Sequence, residues 1–186
     1  VLNEETRIIY EDRDSDLWFV HNTTPNFLSY FDGTNHFTFD LNDGIPNSYI
    51  QTIGQDGDGN IWVGTNKGVA IYDGLDWKIV TTADGLIGNN IKAITTDSQG
   101  SIWIGTNAGI SFQGFSGWTN LTRANGLASN HVSSILSSSN GGIWVGTNDN
   151  GLSFSDRSWQ PVSTNVQGNH VNVMFSDQNS IIWIGT

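Results

Sequence analysis

The chain has 186 residues, 18 of them acidic and seven basic, for a formal net charge of −11, and charged residues make up only 13% of it. That balance excludes nucleic-acid binding driven by phosphate counterion release, which needs basic surface, and it suits neither a disordered segment nor a coiled coil. The chain has no cysteine, which excludes a disulfide scaffold, a thiolate zinc site and a cysteine nucleophile. It holds no apolar run of about eighteen residues and no basic-then-apolar leader at Val1, so no membrane contact by this segment is expected.

In chain order the first clear segment is LWFVH at 17–21, a degenerate copy of a string that returns as IWVGT at 61–65, IWIGT at 102–106, IWVGT at 143–147 and IWIGT at 182–186. Successive copies place Trp18, Trp62, Trp103, Trp144 and Trp183 at separations of 44, 41, 41 and 39 residues. A second aromatic series, Phe37, Trp77, Trp118 and Trp159, follows 19 residues after Trp18 and 15 residues after the next three. Self-similarity at one period is the mark of a repeat architecture.

Each period reads as four short strands. One repeat runs Ile50 to Ile53, the turn QDGDGN, Ile61 to Thr65, NKG, Val69 to Tyr72, DGLD and Trp77 to Thr81. The next runs Ile91 to Thr95, TDSQGS, Ile102 to Thr106, NAG, Ile110 to Gln113, GFSG and Trp118 to Thr122. Gly and Asn in these turns supply tight reversals at little cost. A strand such as IWVG is apolar on both faces, so its sheet needs cover on both sides. Four-stranded sheets stacked around an axis provide that cover at roughly 40 to 45 residues per blade. The expected fold is therefore all-β, a single β-propeller segment of four-stranded antiparallel blades. Its repeats fall at about 6–44, 45–85, 86–126, 127–164 and a partial 165–186, an open arc of about four and a half blades rather than a closed ring.

The string D-x-x-G-x-I-W-x-G-T-x-x-G, a D-G turn, a Trp and then D/N-G-L-x-x-N-x-V resembles the two-component regulator propeller repeat. The match is strongest over 56–95 and 97–136; Ser138 replaces the leading Asp of the fourth copy, and Val20 and His21 replace Gly and Thr in the first. The resemblance implies the periplasmic or extracellular sensor region of a bacterial hybrid histidine kinase, a module that detects nutrients such as glycans. Its partners would be the remaining blades and signalling domains of the same protein and a small-molecule or oligosaccharide ligand.

Repetition within one chain separates scaffold from site. Trp62, Trp103, Trp144 and Trp183 are expected between blades, where burial of such a ring stabilises by about 2 to 3 kcal/mol, and the outer aromatics are expected to pack on the neighbouring blade. Asp12, Asp56, Asp97 and Asp177 each lie six residues before a Trp and read as turn-closing carboxylates. DGDGN at 56–60 has the look of a calcium loop but runs straight into a strand without the terminal Glu such a loop needs. The acidic run Glu4, Glu5, Glu11, Asp12, Asp14 and Asp16 reads as a solvated face. No metal site, cofactor fingerprint, G-x-S-x-G elbow or standout carboxylate pair is present, so no catalysis is expected. A fragment of a secreted lyase or glycan hydrolase and a protein–protein scaffold stay open as alternatives.

Variation at one scaffold position marks the candidate site. Just before the innermost strand of successive blades stand Tyr49, Asn90, His131 and His170, preceded by Ser48, Asn89, Asn130 and Asn169. The first four are exposed ring-bearing or amide groups at the mouth of an axial strand; the Asn residues either join them or hold the turn by hydrogen bonds. Loops carrying Asn66, Lys67, Asn107, Asn148 and Asp149 open on the same face. Donors, acceptors and stacking rings of this kind suit a neutral hydroxyl-rich ligand such as an oligosaccharide.

Overall fold

The computed structural model describes residues 5–22, 27–40, 43–46, 49–114, 117–156, 158–162 and 169–186. The first sheet comprises β1 (Thr6–Glu11), β2 (Leu17–His21), β3 (Leu28–Phe31) and β4 (His36–Phe39), and the second β5 (Ile50–Gln55), β6 (Ile61–Thr65), β7 (Gly68–Tyr72) and β8 (Trp77–Val80). The third holds β9 (Ile91–Thr96), β10 (Ile102–Thr106), β11 (Gly109–Gly114) and β12 (Gly117–Leu121). The fourth holds β13 (Val132–Ser137), β14 (Ile143–Thr147), β15 (Leu152–Ser155) and β16 (Trp159–Val162), followed by the pair β17 (Val173–Ser176) and β18 (Ile182–Gly185). Every sheet is an antiparallel meander in chain order, and the first strands β5, β9 and β13 lie against one another. Among the described residues β17 and β18 pair only with each other, so no strand closes a ring onto the first sheet.

Each letter of the repeated string has a mechanical task. Oδ1 of Asp12, Asp56, Asp97 and Asp177 accepts the backbone N–H groups two and four residues on. Oδ2 accepts the indole N–H of Trp18, Trp62, Trp103 and Trp183 at 2.8–3.1 Å. In the fourth sheet the Ser138 hydroxyl instead donates to Asn140 Oδ1 and the Gly142 carbonyl. The closing Thr donates from Oγ1 across its turn, Thr65 to the Gly68 carbonyl at 2.8 Å, Thr106 to Gly109 at 3.0 Å and Thr147 to Gly151 at 2.9 Å.

The motif glycine sets the distance between blades. A Cβ at Gly64 would lie 2.6 Å from Ile91 Cγ2, at Gly105 2.5 Å from Val132 Cγ1, and at Gly146 2.5 Å from Val171 Cγ1. In the first sheet Val20 fills that place, fully buried, and β1 accordingly lies less closely against β5 than β5 does against β9. His21 replaces the Thr there, buried with Nε2 2.7 Å from Ser29 Oγ and its ring stacked on Phe27.

Trp18 and Trp62 are buried, and Trp103 and Trp144 are half-buried. Trp183 departs from the expectation: at 61% exposure it fills no inter-blade space, because no described sheet lies against its outer face. The outer rings do pack, with Trp118 edge-on to Trp62 and Trp159 tilted against Trp103, both at 6.1 Å. Phe37, 46% exposed, is the looser member of the series. The acidic run is only partly a solvated face, since Asp12 holds Trp18 and Asp16 accepts the Tyr30 hydroxyl at 2.5 Å. Glu4 lies outside the described residues.

Candidate functional site

The innermost strands share a defect. Between Ile50 and Thr52 the pairing of β5 with β6 slips by one residue, and the same slip recurs between Thr6 and Ile8 and between Val132 and Ser134. In the third sheet Gly105 and Thr106 face Ala93 and Ile91, which skips Lys92. Arg7, Gln51, Lys92 and Ser133 are therefore the extra residue of a β-bulge, a device that re-aims a side chain and recurs beside functional sites.

The bulged side chains link one innermost strand to the next. Arg7 donates from Nη2 to the Ile50 carbonyl while its guanidinium carbon sits 4.1 Å over the Tyr49 ring. Gln51 donates from Nε2 to Asn90 Oδ1 at 2.7 Å and accepts from Lys92 Nζ at 2.7 Å. The Ser133 hydroxyl donates to the Val171 carbonyl. Tyr49 is thus paired with Arg7, and Asn90 with Gln51 and Lys92.

His131 and His170 form a second cluster around Asn148. The Asn148 N–H donates to the His131 carbonyl at 2.9 Å, and the Asn148 carbonyl lies 2.7 Å from His170 Nδ1, which must donate to it. His170 Nε2 stands 2.9 Å from Asn172 Oδ1, and His131 Nδ1 stands 3.1 Å from Asp149 Oδ2. A hydrogen bond from Ser129, followed by the hydrogen bond and charge of His131 and the charge of Arg123, holds the Asp149 carboxyl below its ordinary range despite partial desolvation. Both rings remain exposed.

The neighbouring Asn residues are placed differently. Asn89 Oδ1 accepts the Thr82 N–H at 2.8 Å and Nδ2 donates to Thr82 Oγ1, while Asn130 Oδ1 accepts the Arg123 N–H at 2.8 Å. Those donors open short 3-10 turns at Thr82–Asp84 and Arg123–Asn125, each closed by a glycine with φ of +114° at Gly85 and +103° at Gly126. Asn169 lends its carbonyl to the Gly151 N–H at 2.8 Å, and Ser48 lies outside the described residues. Asn89 and Asn130 therefore hold the turns, while one residue later Asn90 is half-buried beside Gln51 and His131 is exposed.

The opposite face differs in chemistry. A groove of about 470 Å³ between the first two sheets is lined by Asp12, Asp14, Asp16, Asp58 and Asp73 with Tyr30 and Tyr72. Of these, Asp12 and Asp73 close turns and Asp16 accepts the Tyr30 hydroxyl. Among the described residues no group of three His, Cys, Asp or Glu side chains could hold a metal ion.

The bulges at Gln51, Lys92 and Ser133 each lie within a longer unit that starts at the D/N-G-L/I turn and ends after the W-x-G-T strand. Residues 44–67, 85–108 and 126–149, which span that unit three times, match the family model of the two component regulator propeller. They are two component regulator propeller repeats. The propeller fold is also that of two solved extracellular domains of hybrid two component systems from B. thetaiotaomicron. The first is 24% identical with a TM-score of 0.82, and the second 23% identical with a TM-score of 0.75. Each comparison covers 98% of this chain and 26% of the other, so the propeller chain spans about a quarter of those domains. Virginiamycin B lyase from Staphylococcus aureus shares the fold at 13% identity, TM-score 0.76, over 99% of this chain and 64% of its own. No curated protein matches the sequence.

Proposed function

We propose that this propeller is a non-catalytic ligand-sensing module from the extracytoplasmic part of a bacterial two-component signalling protein, and that its ligand is hydroxyl-rich, an oligosaccharide above all. The observation that carries the reading is a division of labour among equivalent positions. The constant Asp, Trp, Gly and Thr of the repeats are engaged in turns and blade contacts, whereas the variable Tyr49, His131 and His170 are exposed and Asn90 is half-buried beside Gln51. The repeat family and the sensor-system domains that share the fold support the signalling role and the location. No described helix is long and apolar enough to cross a membrane.

The test is calorimetric titration of oligosaccharides into the full-length protein and into its His131→Ala and His170→Ala variants. Each variant should bind more weakly by about 1 to 3 kcal/mol where its ring makes a buried hydrogen bond to the ligand. Unchanged affinity in both folded variants rejects the rim. Turnover of polysaccharides or lactones by the purified protein, abolished by one carboxylate substitution, rejects the non-catalytic reading.

A further inference from the structure

We infer that the rim takes an acidic saccharide, with the ligand's carboxylate held between Arg7 and Lys92 on either side of Gln51; this rests on the rim being the binding face. Only seven residues of the chain are basic, and two of them occupy bulge positions on the first and third sheets. Both are half-buried, and among the described residues neither forms an ion pair, the one found being His131 with Asp149. Lys92 Nζ donates to a neutral amide oxygen, and Arg7 Nη2 to a neutral carbonyl. Arg7 Nε is buried with no hydrogen-bond partner.

Withdrawing a cation from water without a counter-ion is unfavourable. A ligand carboxylate between the two side chains offsets that cost with charge-assisted hydrogen bonds. Gln51 contacts Lys92 directly, and Arg7 reaches the carbonyl of Ile50, the residue before Gln51, so the two cations approach the same stretch of β5 from the strands on either side of it. The charge pattern favours this end of the molecule for an anion. Carboxylates such as Asp12, Asp16, Asp58, Asp73, Asp97 and Asp177 gather on the turns at the opposite ends of the strands. The geometry also orients the ligand: Asp149 beside His131 repels a second carboxylate, so the neutral hydroxyls fall to the His131 and His170 cluster.

The experiment titrates a set of uronate oligosaccharides, each paired with its carboxyl-reduced neutral form, into the full-length protein. A uronate should bind in preference to its neutral form, and the preference should shrink as salt rises. Lys92→Gln and Arg7→Gln should each weaken uronate binding at least about tenfold, Lys92→Arg should retain it, and Lys78→Gln, on an exposed part of β8, should leave it unchanged. Circular dichroism identifies any variant that fails to fold, and Lys92→Arg then carries the comparison. Equal affinity for neutral forms, or uronate binding indifferent to both Gln variants, overturns the inference. Neutral saccharides that bind and are lost in His131→Ala leave the rim reading standing while the carboxylate subsite fails. If neither form of any pair binds, both fail.

Discussion

The indole N–H of Trp62 donates to Oδ2 of Asp56 at 2.8 Å, and the same carboxylate also receives the backbone N–H groups of Asp58 and Asn60 and the side-chain amide of Asn60. Turn and inter-blade ring are thereby one unit. Asp56→Ala strands a buried indole N–H and two backbone donors and should destabilise the protein by about 1 to 3 kcal/mol. Asp56→Asn, which keeps one acceptor oxygen, should cost less. Chemical denaturation of the two variants measures the difference, and equal losses would show that the charge, not the acceptor geometry, matters.

Gly105 faces Val132 Cγ1 of the next sheet at 2.5 Å from where a Cβ would stand, with Ile135 Cδ1 at 3.0 Å. Gly105→Ala therefore forces the third and fourth sheets apart and should cost about 1 to 3 kcal/mol as overpacking. The smaller side chain in Gly105→Ala/Val132→Ala should recover part of it, and a double-mutant cycle in denaturant reads the coupling.

Stability should fall in acid. Hydrogen bonds from Asn35 and Thr34 hold Asp32 below its ordinary range, those from Asp76 and Leu75 do so for Asp73, those from Trp183, Ile181 and Asn179 for Asp177, and Ser129 leads for Asp149. A carboxyl whose folded pKa is depressed contributes stability that is present above its unfolded value of about 3.9 and lost as pH falls through the folded value. Denaturation midpoints taken downward from pH 5 should hold and then decline below about pH 4; a flat profile would contradict these assignments.

Asn89 and His131 should separate by phenotype. Asn89→Ala removes the acceptor for the Thr82 N–H and should lower stability by about 1 kcal/mol while leaving ligand affinity intact. His131→Ala, exposed on the rim, should do the reverse. Binding loss in Asn89→Ala at unchanged stability would make that residue a ligand contact rather than a turn residue.

The blades were legible because each repeated letter has a fixed job: Asp56 needs a carboxylate, Gly64 needs to have no Cβ, and Thr65 needs a hydroxyl. The 3-10 turns carry a readable signature as well, Thr81 and Asp84 or Thr122 and Asn125 forming reciprocal capping boxes. The bulge residues were harder. Gln51, Lys92 and Ser133 follow the buried Ile50, Ile91 and Val132, and a polar, variable residue behind a constant apolar one was the available signal. The bulge itself is a mismatch of register between two strands and belongs to neither strand alone. Trp183 is exposed although the repeat predicts it buried, because burial of this ring depends on a neighbouring sheet lying against it.

Among the described residues no strand is shared between sheets, and the second and third sheets touch on the turn side through the Gly57 N–H donating to the Gly100 carbonyl at 3.0 Å. Tension applied at the two ends is thus carried within each blade by ladders of backbone bonds, but from blade to blade by side-chain packing and a few isolated backbone bonds such as Gly68 to Asn89 and Gly151 to Asn169. The molecule should yield as a chain of discrete links, each blade releasing about 140 Å of extended backbone as it opens. A pulling trace would then show a sawtooth, and the weakest tooth should be the first sheet, where Val20 keeps its neighbour at a distance.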